Sequence, residues 1–322
     1  MNRQPIHSAQ QLIERAIEIA SQGRKKTVAV AAAQDVDVIG AMADAYADGF
    51  LNGILCGDRS KILALADEGE INIEGLEIID EADVSLAAQA AVGLASEGKA
   101  DAVMKGFLPT SALLKTVLDR RFNLRAKKTI SHCAVLDIPG YHKLLNFTDG
   151  GMVVKPDKET KYEILENAVM VMRALGLSPV KVALSGTLPR PSDRVPHTLT
   201  DVAYIIPRAE DNLEDVVVQG PLSLDVATSP GAARAYEVAG AVAGDADIFL
   251  VDSIEECNIV CKALINFAEA VFSGVIVGAK VPVSLVSRTD SMMNKKSSLA
   301  LACVLSDYYA QTNAWAERAA RP

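Results

Sequence analysis

Apolar residues recur along this chain with two periods that alternate. Leu12, Ile13, Ala16, Ile17 and Ala20 follow Ser8 and Gln11 at helical spacing, a capping-box start to a first helix that stops at Gly23. Thr27–Ala33 is a short β-rich run, Val38, Met42, Tyr46 and Phe50 then recur every four residues, and Ile54–Cys56 reads as the next strand. The rhythm predicts helices over Lys61–Ala66, Val84–Ala95 and Ser111–Leu118, and strands over Leu76–Ile79 and Ala102–Met104. Alternation of this kind predicts a parallel sheet covered by helices.

At Lys127–Lys128 the pattern changes. Ile130–Ile138 and Lys143–Phe147 are extended runs joined by Pro139-Gly140, a turn dipeptide that predicts an antiparallel pair and the start of a second domain. Helices are expected over Tyr162–Leu175, Thr200–Ile206, Ala232–Val238 and Ile259–Phe272, and strands over Lys181–Leu184, Val216–Val218 and Ile248–Val251. Gly274–Val286 suits two strand-like passes, and Ser297–Tyr309 a closing amphipathic helix. There is no tandem repeat and no low-complexity linker.

Composition narrows the setting. Of 322 residues 50% are hydrophobic, and the 41 Asp and Glu outnumber the 32 Lys and Arg, which gives a net charge of -9. Such a chain is long enough for two domains with cores of their own, and its charge disfavours nucleic acid as a partner. Cys56, Cys133, Cys257, Cys261 and Cys303 are an odd set in apolar runs, expected as reduced, buried thiols. The start lacks the order of a signal peptide, and no run reaches the roughly 18 apolar residues of a membrane span. A cytoplasmic protein with no membrane association is expected.

Several chemistries lose their usual motifs. No G-x-G-x-x-G follows a predicted strand and no G-x-x-x-x-G-K-[ST] occurs, while His7, His132, His142 and His197 form no metal pair and no triad signature. Cys257 and Cys261 share a helix face but lack the histidines of a zinc set, so core packing is the plainer reading. What stands out is polarity at strand-to-helix junctions, where parallel sheets bind ligands. Met104-Lys105-Gly106 leads to Thr110, Ser111 and Lys115, a pattern that suits an anion, although a capped helix with an exposed lysine fits the same residues. Ser284–Ser291 leaves an apolar strand and carries Ser287, Arg288 and Asp290, of which Arg288 offers a bidentate phosphate contact; a simple helix cap by Asp290 or Ser291 is the alternative. Asn258 and Lys262 lie one turn apart and interrupt an apolar register. Asn146–Met152 contains Asp149 and the paired Gly150 and Gly151, which permit close backbone approach, as does a plain tight turn. Gly220 and Asp225 form a weaker fifth element.

Together these segments resemble the phosphate acetyl/butyryltransferases, and within them the phosphate butyryltransferase-like branch. The resemblance runs the length of the chain and rests on MKGFLPTSALLK at 104–115, NFTDGGMVVKPD at 146–157, VVVQGPLSLDVA at 216–227, ECNIVCKAL at 256–264 and GAKVPVSLVSRTDS at 278–291. It implies a two-domain isopropylmalate dehydrogenase-like α/β/α fold with a cleft between domains. Residues 1–127 plus 274–322 would form the first domain, completed by the C-terminal segment, and 128–273 the second.

The activity implied is phosphate acyltransfer: a short, butyryl-like acyl group passes reversibly between coenzyme A and inorganic phosphate within a ternary complex. Phosphate acetyltransfer, a decarboxylating dehydrogenase on the same fold, and a non-catalytic acyl-CoA or acyl phosphate binder are the alternatives weighed. Carried over residue by residue, the family's serine-arginine pair falls on Ser287 and Arg288, and Lys105, Thr110 and Ser111 fall on the phosphate-side loop. The carboxylate of acetyl-type members lies where this chain has Met293 and Asn294, which leaves Asp290 as nearest substitute; Lys115 takes the place of an arginine. The catalytic candidates are therefore Ser287, Arg288 and Asp290. Lys105, Thr110, Ser111, Lys115, Asp149, Gly150, Asn258 and Lys262 are the candidates for binding phosphate or substrate. No metal or cofactor is expected, coenzyme A and phosphate being substrates. An acyl kinase is the implied metabolic partner, and a homodimer or larger assembly the implied state.

Overall fold

The structure, a computed structural model, describes residues 4–187, 196–287 and 289–315. Two compact units divide the chain: Ala9–Lys128 with Phe272–Pro322, and Met1–Ser8 with Thr129–Val271. Ile6, on the first-domain side of the expected 1–127 boundary, goes with the other unit, where its N–H donates to Leu175 O at 2.9 Å.

The chain opens with α1 (Ala9–Ile19), then alternates β1 (Lys26–Ala31), α2 (Val36–Ala47), β2 (Leu51–Gly57), α3 (Arg59–Glu68), β3 (Glu77–Asp80), α4 (Val84–Ser96), β4 (Ala102–Lys105) and α5 (Thr110–Val117). There follow β5 (Ser131–Asp137), β6 (Leu145–Thr148), α6 (Lys158–Ala174), β7 (Val180–Ser185), α7 (Pro196–Asn212), β8 (Val216–Leu222), the short α8 (Leu224–Thr228) and α9 (Pro230–Ala235), β9 (Ile248–Leu250) and α10 (Ile254–Phe267). The last elements are β10 (Val271–Val277), β11 (Val283–Ser284) and α11 (Met292–Thr312). Side chains cap most of the long helices: Asp35 on α2, Asp58 on α3, Asp83 on α4, Asp157 on α6, Ser253 on α10 and Ser291 on α11 each accept an N–H of the first turn. The helix α5 starts after Pro109 with no side-chain cap.

In the unit of Ala9–Lys128 with Phe272–Pro322 the strand order is β3-β2-β1-β4-β11-β10. All of these pairings are parallel except that of β11 with β10. Val28, Ala29, Val30, Val103, Met104 and Val283 are fully buried, and α11 is buried along nearly its whole length from Asn294 to Ser306. The helix expected over Ser297–Tyr309 as amphipathic thus buries polar side chains as well, among them Asn294, Lys295, Ser297, Ser298 and Asp307.

In the second unit the order is β5-β6-β9-β7-β8, with β5 antiparallel to β6 and the rest parallel. The antiparallel pair is the one predicted from the Pro139-Gly140 turn, and its register sets Cys133 beside Thr148 and Leu136 beside Leu145. Boundaries differ most from the sequence reading at three helices. The helix expected over Ile259–Phe272 runs from Ile254 to Phe267, and Phe272 belongs to β10. The one expected over Thr200–Ile206 continues through Pro207 to Asn212, because burial of Ile205 and Ala209 outweighs the hydrogen bond proline removes. The last helix starts at Met292, under the Ser291 cap, rather than at Ser297.

Candidate functional site

The chain passes from β1 to β2 on one side and returns to β4 on the other, so the carboxyl ends of β1 and β4 flank a topological switch point. Lys105 ends β4 there, opposite Ala31 of β1. The next residue packs against backbone: a Cβ on Gly106 would lie 2.1 Å from Ala32 O and 2.6 Å from Ala31 O. Gly106 N and Phe107 N in turn donate to Ala31 O and Ala32 O at 2.9 and 2.6 Å. Only glycine admits this approach, which fixes the loop that carries Lys105 into α5. The Lys105 side chain is 5% exposed, with Nζ 3.2 Å from Gly106 O and 3.4 Å from Leu108 O. Thr110 and Ser111 are the first residues of α5, but neither hydroxyl caps it; Lys115, in its last turn, is exposed.

On the other side of β4, β11 pairs in parallel with Val283 beside Val103 and Ser284 beside Met104. The loop after β11 therefore leaves the same sheet edge as Lys105. It turns tightly: Ser287 N donates to Asp290 Oδ2 at 2.5 Å, Asp290 N donates to Ser287 O at 3.2 Å, and the hydroxyls of Ser287 and Thr289 lie 3.2 Å apart. Asp290 thus holds the serine's backbone. Arg288 lies outside the described residues. Asn294, at the place of the acetyl-type carboxylate, is 4% exposed and accepts Phe272 N at 3.0 Å, while Met293 is exposed. Neither supplies a base. Sequence reasoning missed Lys295, which is 1% exposed and donates to Asp290 O at 2.5 Å and to Asp37 Oδ2 at 3.4 Å. A lysine in a helix carries no sign of burial in its own sequence.

In the second unit Asp149 follows β6 across a cis peptide bond from Thr148. Its Oδ1 accepts Gly151 N at 2.7 Å and Met152 N at 2.9 Å. Burial raises its pKa to about 6, against the opposing pull of those backbone N–H groups. His132 borders the same loop, its ring pushed down to about 4 by burial. A Cβ on Gly150 would meet Cys257 Sγ at 2.8 Å and His132 Nδ1 at 3.2 Å, so the paired glycines admit the close packing of α10 and β5. Cys257 faces this loop, and it and Cys261 are buried thiols with Sγ atoms 3.9 Å apart. Asn258 and Lys262 lie on the exposed side of α10 rather than interrupting its buried face. Gly220 packs against Leu184 of β7, and Asp225 lies in the first turn of α8.

A cleft of about 780 Å³ opens in this unit between the N-terminal turns of α6 and α10. Lys161, 5% exposed, bridges Asp201 and Asp252 there at 2.5 Å each. Burial opposes its charge, but the bonds to the two aspartates prevail and raise its pKa. At the amino ends of β6, β7 and β9, Lys143 pairs with Asp245 at 2.8 Å and Asp247 at 2.5 Å, and Lys181 also bonds Asp245. That network ties strand starts together. Among the described residues no three His, Cys, Asp or Glu side chains are grouped to hold a metal, and no helix is long and apolar enough to cross a membrane.

An α/β chain with an ammonium, a serine turn and an uncapped helix start along one parallel-strand edge is of the class that handles anionic substrates. Residues 81–303 match the family described as Phosphate acetyl/butaryl transferase, and the chain belongs to that family of acyltransferases. It is 39% identical over 290 residues to the phosphate butyryltransferase of Clostridium acetobutylicum, covering 90% of this chain and 96% of the relative. It is 35% identical over 292 residues to the phosphate acetyltransferase of Thermotoga maritima, covering 91% and 99%. Among solved structures it is similar to a branched-chain phosphotransacylase from Enterococcus faecalis V583, with TM-score 0.78 and 31% identity over 87% of this chain and 99% of that one. The fold also extends to 4-hydroxythreonine-4-phosphate dehydrogenase of Klebsiella pneumoniae, at TM-score 0.57 and 13% identity over 88% and 99% of the chains. The dehydrogenase-type α/β fold implied by the sequence resemblance is thus present.

Proposed function

We propose that the chain moves a short, butyryl-like acyl group reversibly between coenzyme A and inorganic phosphate, without an acyl-enzyme. The observation that carries this reading is the pairing of β4 with β11, which sets Lys105 and the Ser287 turn on one sheet edge in a chain of this family. A phosphate oxygen attacks the thioester carbonyl, a C–O bond forms, and the carbonyl oxygen takes up negative charge. The C–S bond then breaks, and the coenzyme A sulfur leaves with the bonding pair and takes up the proton that the attacking hydrogen phosphate gives up. Charge develops on the carbonyl oxygen and the sulfur, so fixed donors near them lower the barrier. Lys105 and Arg288 bind the phosphate, with the Thr110 and Ser111 hydroxyls and Lys115 on the same side. Ser287 orients the sulfur. Asp290 supports that serine through its backbone and is the nearest carboxylate to a proton-accepting role. In the other unit Asp149, Gly150, Asn258 and Lys262 are the substrate-binding candidates.

The reading uses no resident cofactor, coenzyme A and phosphate being substrates. A kinase that makes ATP from the acyl phosphate is the fitting metabolic partner, and the cytoplasm, where coenzyme A is available, the fitting compartment. Ile259 and Phe267 on α10, 68% and 89% exposed, favour a homodimer or larger assembly. Transfer of acetyl instead is the second reading, favoured by the acetyltransferase relative at 35% identity. Phosphate-dependent release of coenzyme A from acetyl-, propionyl-, butyryl-, isobutyryl- and acetoacetyl-CoA separates the two. Activity is expected to peak with a four-carbon acyl group and to fall at least about 100-fold in Arg288→Ala. A maximum with acetyl-CoA moves the assignment to acetyl transfer. No release from any substrate sinks the enzymatic reading and leaves a binding protein.

A further inference from the structure

Among the described residues of its unit, Lys295 and Asp307 are the most deeply buried charged side chains, each at 1% exposure. A buried ammonium is retained at a cost that an apolar side chain of similar size would avoid, so its partners indicate what it is for. Those partners are Asp290 O at 2.5 Å and Asp37 Oδ2 at 3.4 Å, the latter on a side chain 53% exposed. Asp290 closes the turn that begins at Ser287, and its own carboxylate accepts the Ser287 N–H. Asp37 stands in the first turn of α2, just after the loop that leaves β1. The two partners therefore come from either side of β4, the strand that ends in Lys105: one from the turn after β11, the other from the first turn of the helix that follows β1. Helix packing alone does not require this arrangement. The neighbouring Ser297 and Ser298 already tie α11 to β10, through Ser273 Oγ at 2.6 Å and Gly274 N at 2.9 Å.

We propose that Lys295 is a positioning residue for the acyl transfer, fastening the Ser287–Asp290 turn to the first turn of α2 so that the serine hydroxyl is fixed relative to Lys105. The ammonium acts through the turn and does not itself touch substrate. This rests on the acyltransferase reading and goes beyond the family's serine-arginine pair.

The test compares wild type, Lys295→Met, Asp37→Asn and, as a control, Lys296→Ala, whose side chain pairs with Asp48 at 2.8 Å away from the turn. Phosphate-dependent coenzyme A release from butyryl-CoA gives kcat and KM, and calorimetric titration with coenzyme A counts the competent sites in each sample. Lys295→Met is expected to lose about 100-fold in kcat per competent site, with KM for butyryl-CoA within about threefold of wild type. Lys296→Ala is expected to match wild type. An unchanged kcat per site in Lys295→Met overturns the proposal, as does a loss explained wholly by fewer competent sites, which would make Lys295 structural only. If Lys295→Met gives no folded protein, Asp37→Asn decides. With one of two anchors weakened, a fall of about five- to tenfold in kcat at constant KM supports the proposal, and an unchanged kcat overturns it. Wild-type protein that releases no coenzyme A from any acyl-CoA fails the acyltransferase reading itself and takes this inference with it.

Discussion

Asp149 is where two physical demands meet in one side chain. Its carboxylate accepts the Gly151 and Met152 N–H groups that shape the loop, yet burial leaves the charge poorly solvated and its pKa raised to about 6. Between pH 4 and 6 the native state therefore keeps a proton that the unfolded chain has released. This group's contribution to stability falls as pH rises through that range and is a constant penalty of about 3 kcal/mol above it. His132, pushed down to about 4, acts in the opposite sense: its contribution is full above the unfolded value and is lost on acidification. Comparing wild type with Asp149→Asn removes the histidine's effect, which both share. Asn keeps an acceptor for both N–H groups without the charge, so the variant should be more stable by up to about 3 kcal/mol at pH 7, with no advantage near pH 4. Urea midpoints at the two pH values measure this, and equal stability at pH 7 would refute the burial argument. Asp149 is a candidate for substrate binding, so turnover should also fall in the same variant, and unchanged turnover would remove it from the candidates.

At the scale of elements, β4 and the loop after it do the most to define the site, and Gly106 is their most constrained point. A methyl group there meets Ala32 O at 2.1 Å and Ala31 O at 2.6 Å, backbone atoms that cannot rotate away. Gly106→Ala should cost about 2–3 kcal/mol and, by displacing Lys105 and the start of α5, raise KM for phosphate more than KM for acyl-CoA. Denaturation midpoints and phosphate saturation curves test both parts; an unchanged KM for phosphate would separate this loop from phosphate binding. The junction itself was legible in the sequence, because a strand ending in Met104-Lys105-Gly106 before a helix carries its own signal. So was the β5–β6 pair, since Gly140 takes the positive φ, 89°, that its turn needs. The limits of α10 were not. An apolar run continues past Phe267 into Ala270–Val277, and periodicity alone does not separate a buried strand from the end of a helix. Around the candidate site, what the sequence left illegible has one cause, which is that burial is a tertiary property. Lys295 looks like any surface lysine until α11 is packed, and Asn258 and Lys262 look like an intrusion into an apolar face until α10 turns them outward.

For the whole molecule, what matters is how each unit draws on the chain. The unit of Thr129–Val271 contains its five strands in one uninterrupted stretch, to which Met1–Ser8 adds Ile6 bonded to Leu175. The other unit is split: Ala9–Lys128 supplies β1 to β4, but β11 pairs with β4, and α11 buries Leu299, Leu301, Val304 and Leu305 with α1 and α2 as its main helical neighbours. A fragment of residues 129–271, roughly 140 in length, is within the size that sustains a core alone. It should show helical circular dichroism and a single cooperative urea transition. A fragment of residues 9–128 lacks the helix that covers α1 and α2 and leaves β4 as an unpaired edge, so it should unfold without cooperativity or aggregate. Adding residues 272–322 as a separate peptide should restore a cooperative transition to it, because the missing elements are supplied whole. A cooperative transition for 9–128 alone would mean that β10, β11 and α11 are accessory to that unit. The Ser287 turn could then be altered without loss of the fold beneath Lys105.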